Sequence, residues 1–254
     1  MSFHVLMYHE LRERGSISED APSVVKVATN CDVALPKVLF AYVDDFEKQM
    51  DMLQNSEWNV ISMQEVRDFY EKGQTLPENA VLITFDDAFQ SVLQYAYPIL
   101  KKRQLPATLF VVRDWLSESA EPFNPAKSVV MSVSEVNQMR DVFTFANHTS
   151  DLHNQDATGE KSTFQTATTA GLLADLKKCA EFVDMPDIFA YPFGAYTKRD
   201  LARLEQAEIK FSFTTKPGRN TRETSPLELH RQVVALGMDA DSLKQILLKD
   251  GKNT

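Results

Sequence analysis

The chain has 254 residues, 43% of them hydrophobic and 25% charged, which is enough for one generous core and for a single domain over residues 1–254. A formal net charge of −9 argues against nonspecific binding to nucleic acid or to an anionic membrane, and no apolar run is long enough to insert into a bilayer. The two cysteines, Cys31 and Cys179, stand alone without a Cys-x-x-Cys spacing, which excludes a disulfide framework or a cysteine-based zinc site as the main theme.

The first residues, Met1-Ser2-Phe3-His4, show no basic region, long apolar core or cleavage site. No signal peptide is read there, and a cytoplasmic address is the default expectation. Residues 3–8 read as a strand ending at His9-Glu10. From 11 to about 39 the chain is polar and irregular, interrupted by Gly15, Pro22 and Pro36, a length of connection that is usually functional or disordered. Val43-Asp44-Asp45 opens a helix with Phe46, Met50 and Leu53 on one face, and 58–61 is a short strand. Ser62 and Glu65 form a capping box for a helix to about residue 72.

Residues 80–85 are apolar or β-branched and read as a buried strand that runs straight into Asp86-Asp87. A helix is expected from Phe89, with Val92, Tyr95, Ala96, Ile99 and Leu100 inward and Lys101-Lys102-Arg103 closing it. Strands at 107–112 and 142–146 flank a second capping box, Ser132 with Glu135, and a loop covers 147–161. A helix carrying Leu172, Leu173, Leu176 and Ala180 precedes a strand at 188–191. A helix at 198–207, strands at 210–214 and 229–235, and a helix at 241–248 complete the chain. Strand and helix alternate throughout, which calls for a parallel sheet covered by helices, either open or closed into a barrel. His9, Asp86, Asp87 and His148 all fall just past strands, where such folds carry their chemistry.

Two adjacent carboxylates at the end of a core strand are expensive to bury and repel each other. They could cap the following helix, or one could ligate a metal ion while the other handles protons. His148 and His153 lie five apart, a spacing that does not share a helix face but can converge on a bent loop. With Asp87 they would give a two-histidine, one-carboxylate set with open positions; otherwise they are two exposed loop histidines.

Thr84-Phe85-Asp86-Asp87 followed by His148-Thr149-Ser150-Asp151-Leu152-His153 resembles the metal motifs of the polysaccharide deacetylases, the NodB-type domain of carbohydrate esterase family four. The histidine spacing is similar to the branch that deacetylates poly-β-1,6-N-acetylglucosamine in biofilms. Val5-Leu6-Met7-Tyr8-His9, Phe46-Glu47-Lys48-Gln49-Met50 and Tyr191-Pro192-Phe193-Gly194 resemble further motifs of that branch, so the likeness spans residues 5–194. Two departures stand out. Ala88 follows the Asp pair where the family usually has Gly, and Phe189-Ala190 stand where many members carry an Arg that orients the base.

The resemblance implies a distorted (β/α) barrel and a metal-dependent hydrolase acting on an N-acetyl group of a glucosamine-containing saccharide. Asp87, His148 and His153 would hold the ion; Zn²⁺ suits the ligand types best, and Co²⁺, Ni²⁺ or Fe²⁺ fit the same mix. Asp86 would be the base, and the backbone N–H of Phe193 the oxyanion donor, since Pro192 has none. Tyr191 and Phe193 are either sugar-stacking rings or core aromatics. The general acid is expected at His9, with His230 as the alternative. A small non-sugar amide as substrate, or a catalytically silent saccharide-binding domain, are the rival readings.

Overall fold

Alternation along one strand sets the architecture. A computed structural model describes residues 1–17, 23–27, 34–55, 57–155 and 160–249. In the central strand, Ala80–Asp86, every residue is buried. Val81, Ile83 and Phe85 pack on one side, in a cluster that takes Phe46, Met50 and Leu53 from the helix Val43–Gln54 and Leu243 and Leu247 from the helix Ala240–Lys249. Ala80 and Leu82 face a second cluster with Phe110, Ala146, Ile188 and Phe213. A period of two therefore aims Asp86 at the second, strand-lined side.

Among the described residues the main sheet has nine strands. Its path runs Phe211–Phe213, Met185–Ala190, Phe143–Asn147, Ala107–Val111, Ala80–Asp86 and Ser2–Tyr8, all parallel. The short strand Asn59–Ile61 takes Ala80 to Leu82 of the central strand, while Ala107–Val111 takes Thr84 to Asp86, so one edge of that strand forks. On the far edge of Ser2–Tyr8 lie Asn220–Thr221, antiparallel, and Gln232–Val233, parallel. Leu229, three residues before Gln232, bridges Phe213 of the last long strand. One short segment thus stitches the last strand to the first, and the fold is a distorted (β/α) barrel.

Register brings the carboxyl ends level. Tyr8 pairs with Phe85, Asp86 with Phe110, Asn147 with Val111, and Ala190 with Phe213. His9, Asp86-Asp87, His148 and the Tyr191 turn consequently emerge at one end.

Both expected capping boxes are formed, at Ser62 with Glu65 and at Ser132 with Glu135. Three expectations need correction. The connection from 11 to 39 is not irregular throughout: Glu10–Arg12 pairs in parallel with Phe40–Tyr42, and Ser23–Lys26 pairs with Ala34–Leu35. These strands are too short for alternation to register, and Pro22 and Cys31 lie outside the described residues. Phe89 does not start a helix; it bridges Val130, and the helix after it carries a π turn, Val92–Ala96, ahead of Tyr97–Arg103. Pro98, which has no N–H to give to the preceding turn, accounts for that irregular stretch. The expected strand at 229–235 shrinks to Gln232–Val233. Among the described residues no helix is long and apolar enough to cross a membrane.

Behind the Asp pair, Phe85 stacks on Tyr8 at 5.2 Å and meets Phe46 at 5.8 Å and Phe143 at 5.6 Å, edge on. Removing that ring opens a cavity at the hub of four elements. Phe85→Ala is expected to cost about 3–5 kcal/mol. It should appear as a lower denaturant midpoint with an unchanged slope; a shift of under about 1 kcal/mol would show that the cluster is not the hub.

Candidate metal centre

Six ionisable side chains from four parts of the chain meet at the strand ends. Their burial decides the electrostatics: Asp86, Asp87, His148, His153, His9 and Arg231 are all between 1% and 8% exposed. They line one cavity of about 530 Å³, together with Leu35, Pro36, Val38 and Leu39 on one wall and Trp115, Gln155 and Phe193 on another.

Asp87 turns away from Asp86 because the backbone leaves the strand in the left-handed region, with φ +71 at Asp87 and +59 at Ala88. Glycine would enter that region without cost. Ala88 instead offsets part of the strain by burying its methyl completely in the core. Asp87 Oδ1 then lies 3.6 Å from His148 Nε2 and 3.6 Å from His153 Nε2. One ligand atom from each of the three residues falls within 4.8 Å of the others.

The two histidines are set up as neutral ligands. His148 Nδ1 bonds the Ala190 carbonyl at 2.8 Å; it donates there, and its Nε2 lone pair is left facing Asp87. Burial drives both imidazoles down to about 4, helped at His148 by its neighbour His153. Trp115 packs edge-on against His153 at 4.8 Å, and the Phe193 ring lies 4.6 Å from it, tilted. Burial raises the pKa of Asp87, and its Oδ1 has no hydrogen-bond partner. The Asp87 carboxylate oxygen, the His148 Nε2 lone pair and His153 Nε2 therefore converge on one point. A divalent cation satisfies all three at once, and the donor set of two imidazoles and a carboxylate fits one.

Asp86 is held differently. Arg231 donates two parallel bonds to it, Nη1 to Oδ1 at 2.7 Å and Nη2 to Oδ2 at 2.8 Å, while its Nε donates to the Thr214 carbonyl at 2.9 Å. Burial alone would raise this carboxyl; Arg231, then His148 and His9, outweigh it and hold the pKa at about 2. His9 Nε2 stands 3.8 Å from Asp86 Oδ2, and burial lowers its pKa.

The structure brings together His9, Asp86, Asp87, His148, His153 and Phe193, and leaves His230 out. His230 is half-buried beside a separate shallow hollow with Lys216, Thr224 and Glu228, its backbone paired to Asn220. Tyr191 lines the cavity, but its ring is fully buried, stacked on Tyr196 at 4.4 Å, with its hydroxyl donating to the Leu227 carbonyl. Phe193 is 42% exposed and sits at φ +56, a turn completed by Gly194, where a side chain would strike Thr215.

Sequence reasoning missed Arg231, although it singled out Leu229-His230-Arg231 for its histidine. Two signals were available. A buried Asp beside a metal ligand needs a cation of its own, and on an extended segment an outward His230 puts Arg231 inward.

The polysaccharide deacetylase family model matches residues 73–212, more than half of the chain. A poly-beta-1,6-N-acetyl-D-glucosamine N-deacetylase of Staphylococcus aureus is 30% identical over 176 residues, covering 66% of this chain and 59% of the relative. One of Staphylococcus epidermidis is 25% identical over 198 residues, covering 75% and 66%. The chain thus spans about three-fifths of the length of the first of these curated relatives. Among solved structures, the Streptococcus pyogenes deacetylase PplD in complex with acetate superposes with a TM-score of 0.73 at 20% identity, covering 97% of this chain and 98% of that one. IcaB from Ammonifex degensii gives 0.71 at 23% identity, covering 97% and 96%.

The Arg231–Asp86 pair makes a pH-dependent prediction for the metal-free protein. A folded-state pKa of about 2, below the ~3.9 of an unfolded Asp, stabilises the fold above the unfolded value and is lost as pH falls through the folded one. In Arg231→Gln, burial raises Asp86 instead, so ionising it costs stability. The expected gap between the two proteins is about 3 kcal/mol or more near neutral pH, narrowing as pH falls toward about 3. Urea midpoints across that range measure it, and a gap independent of pH would remove Asp86 as its source.

Proposed function

The chain belongs to the polysaccharide deacetylase family, and on that premise we propose that it is a metal-dependent deacetylase that removes N-acetyl groups from a glucosamine-containing saccharide. The observation that carries the reading is the convergence of Asp87, His148 and His153 at the base of a cavity, beside a carboxylate already paired with Arg231. A site for binding alone needs no second buried Asp. The relatives' names favour β-1,6-linked N-acetylglucosamine as the substrate class.

A divalent cation held by Asp87, His148 and His153 would supply the polarised carbonyl and acidified water that a carboxylate near 2 is too weak a base to manage without. Asp86 accepts the proton of the attacking water. Arg231 keeps Asp86 ionised and fixes its plane, while each carboxylate oxygen retains a second lone pair for that proton. The backbone N–H of Phe193, at the cavity wall, donates to the oxygen of the tetrahedral intermediate. His9 delivers a proton to the departing amine, which leaves poorly without one. The exposed ring of Phe193 offers a face for the sugar.

Acetate release from β-1,6-linked N-acetylglucosamine oligomers, set against a simple N-acetyl amine, tests the reading alongside bound-metal analysis. The metal-loaded protein should deacetylate the saccharide and lose activity on chelation. Asp86→Asn should keep its ion and lose turnover by about 10²–10⁴. His9→Ala should also keep its ion and slow, while His230→Ala should match the parent. A metal-loaded chain that binds the oligomer and releases no acetate would make it a binding domain. Loss of turnover in His230→Ala with His9→Ala unharmed would move the acid.

A further inference from the structure

The loop between the two histidine ligands holds a conformation that its own sequence disfavours. Thr149 sits at φ +78. For a β-branched residue that is a genuine outlier, because its side chain crowds the backbone in the left-handed region. Such a turn persists only where its surroundings over-determine it.

Here much of that surround is one helix, Thr169–Ala180, bonded to the loop. Asn147 Oδ1 accepts from the Thr149 N–H at 2.9 Å, and its Nδ2 donates to the Leu176 carbonyl on that helix at 3.0 Å. One residue earlier on the helix, Asp175 accepts two more bonds, from the Ser150 N–H to Oδ1 at 2.8 Å and from the Asp151 N–H to Oδ2 at 2.7 Å. Three successive backbone donors between the ligands are therefore fixed by two side chains. The loop's carbonyls are tied as well: Thr149 and Ser150 accept from the backbone N–H groups of Arg113 and Asp114. Asp175 touches neither histidine and takes no part in the cavity.

We propose that Asp175 is a positioning residue for the metal centre: by holding the Ser150 and Asp151 N–H groups, its carboxylate sets the loop geometry at which His148 and His153 both face Asp87. The proposal rests on the reading of Asp87, His148 and His153 as a cation site. Both oxygens are used, so the isosteric amide cannot replace the acid. Asparagine has one acceptor oxygen, and its NH₂ would meet the other backbone N–H donor to donor. Charge-assisted bonds to backbone N–H groups are also stronger than neutral ones.

The test is Zn²⁺ affinity of the full chain, stripped of metal and titrated in competition with a chromogenic chelator, with the melting temperature of the metal-free protein measured in parallel. Asp175→Asn is expected to bind Zn²⁺ about 10–100-fold more weakly than the parent, with metal-free melting close to the parent's. Asp175→Glu keeps the charge on a longer stem and should fall between the two. Zn²⁺ affinity of Asp175→Asn within about twofold of the parent, or an effect confined to metal-free melting, would overturn the proposal and leave Asp175 a structural anchor. Should the Asn protein fail to fold, the Glu protein decides, and unaltered affinity there overturns it equally. A parent chain that binds no divalent ion would overturn the cation site itself, and this proposal with it.

Discussion

Two neighbouring carboxylates at the mouth of a fully buried strand cannot both stay ionised without partners, and the rest of this structure is arranged around that constraint. The two are compensated separately. Asp86 receives a guanidinium in a two-pronged pair, and Asp87 faces two imidazoles, each with Nε2 3.6 Å from its Oδ1. Each solution draws on a distant part of the chain. Arg231 comes from the segment that joins the last strand to the first, so closing the barrel and pairing Asp86 rest on the same stretch of chain. The histidines come from a loop after Phe143–Asn147, aligned with Asp86 by parallel register.

The arrangement is strained. Asp87, Ala88, Thr149 and Phe193 hold left-handed backbone without being glycine, each in the site or next in sequence to a residue of it, as do Asn79, Gln104 and Glu208 elsewhere. At roughly 1–2 kcal/mol each they form a load that only a rigid surround can carry. That surround is visible in the aromatic cluster under Asp86 and in the helix bonds behind Thr149. Ala88 shows the trade directly, since its methyl makes the turn harder and the core better packed.

Much of this was legible beforehand, and the failures have physical causes. The long alternating elements and the capping boxes were readable because periodicity and side-chain caps are local. So was the placement of His9, Asp86 and His148, because parallel strands put their carboxyl ends together. Arg231 was not, since nothing near residue 86 says which of many arginines will return to it across 145 residues. The arginine that many family members carry before Tyr191 is missing here, and a guanidinium reaches Asp86 from the closing segment instead. A motif does not say which of its two rings faces outward; here the Tyr191 ring is buried with its hydroxyl bonded inside, and the Phe193 ring is the exposed one.

The stretch least readable from sequence supplies a wall of the cavity. Glu10–Arg12 and Phe40–Tyr42 pair in parallel, so both ends of the intervening connection are fixed next to His9. Leu35, Pro36, Val38 and Leu39, just ahead of the second of these strands, line the site. The tether is itself anchored by a buried pair, Glu10 with Arg12 at 3.4 Å, although burial pushes the Glu10 carboxyl up to about 7. Arg12 reaches on to Ser128 Oγ at 2.9 Å, beside the strand Ser128–Val129 that pairs with Ser23–Lys26. With Val38 exposed on this wall and Phe193 on another, the cavity has apolar edges above an ionic floor. That combination is typical of sites that orient a ligand through a few polar groups among apolar ones.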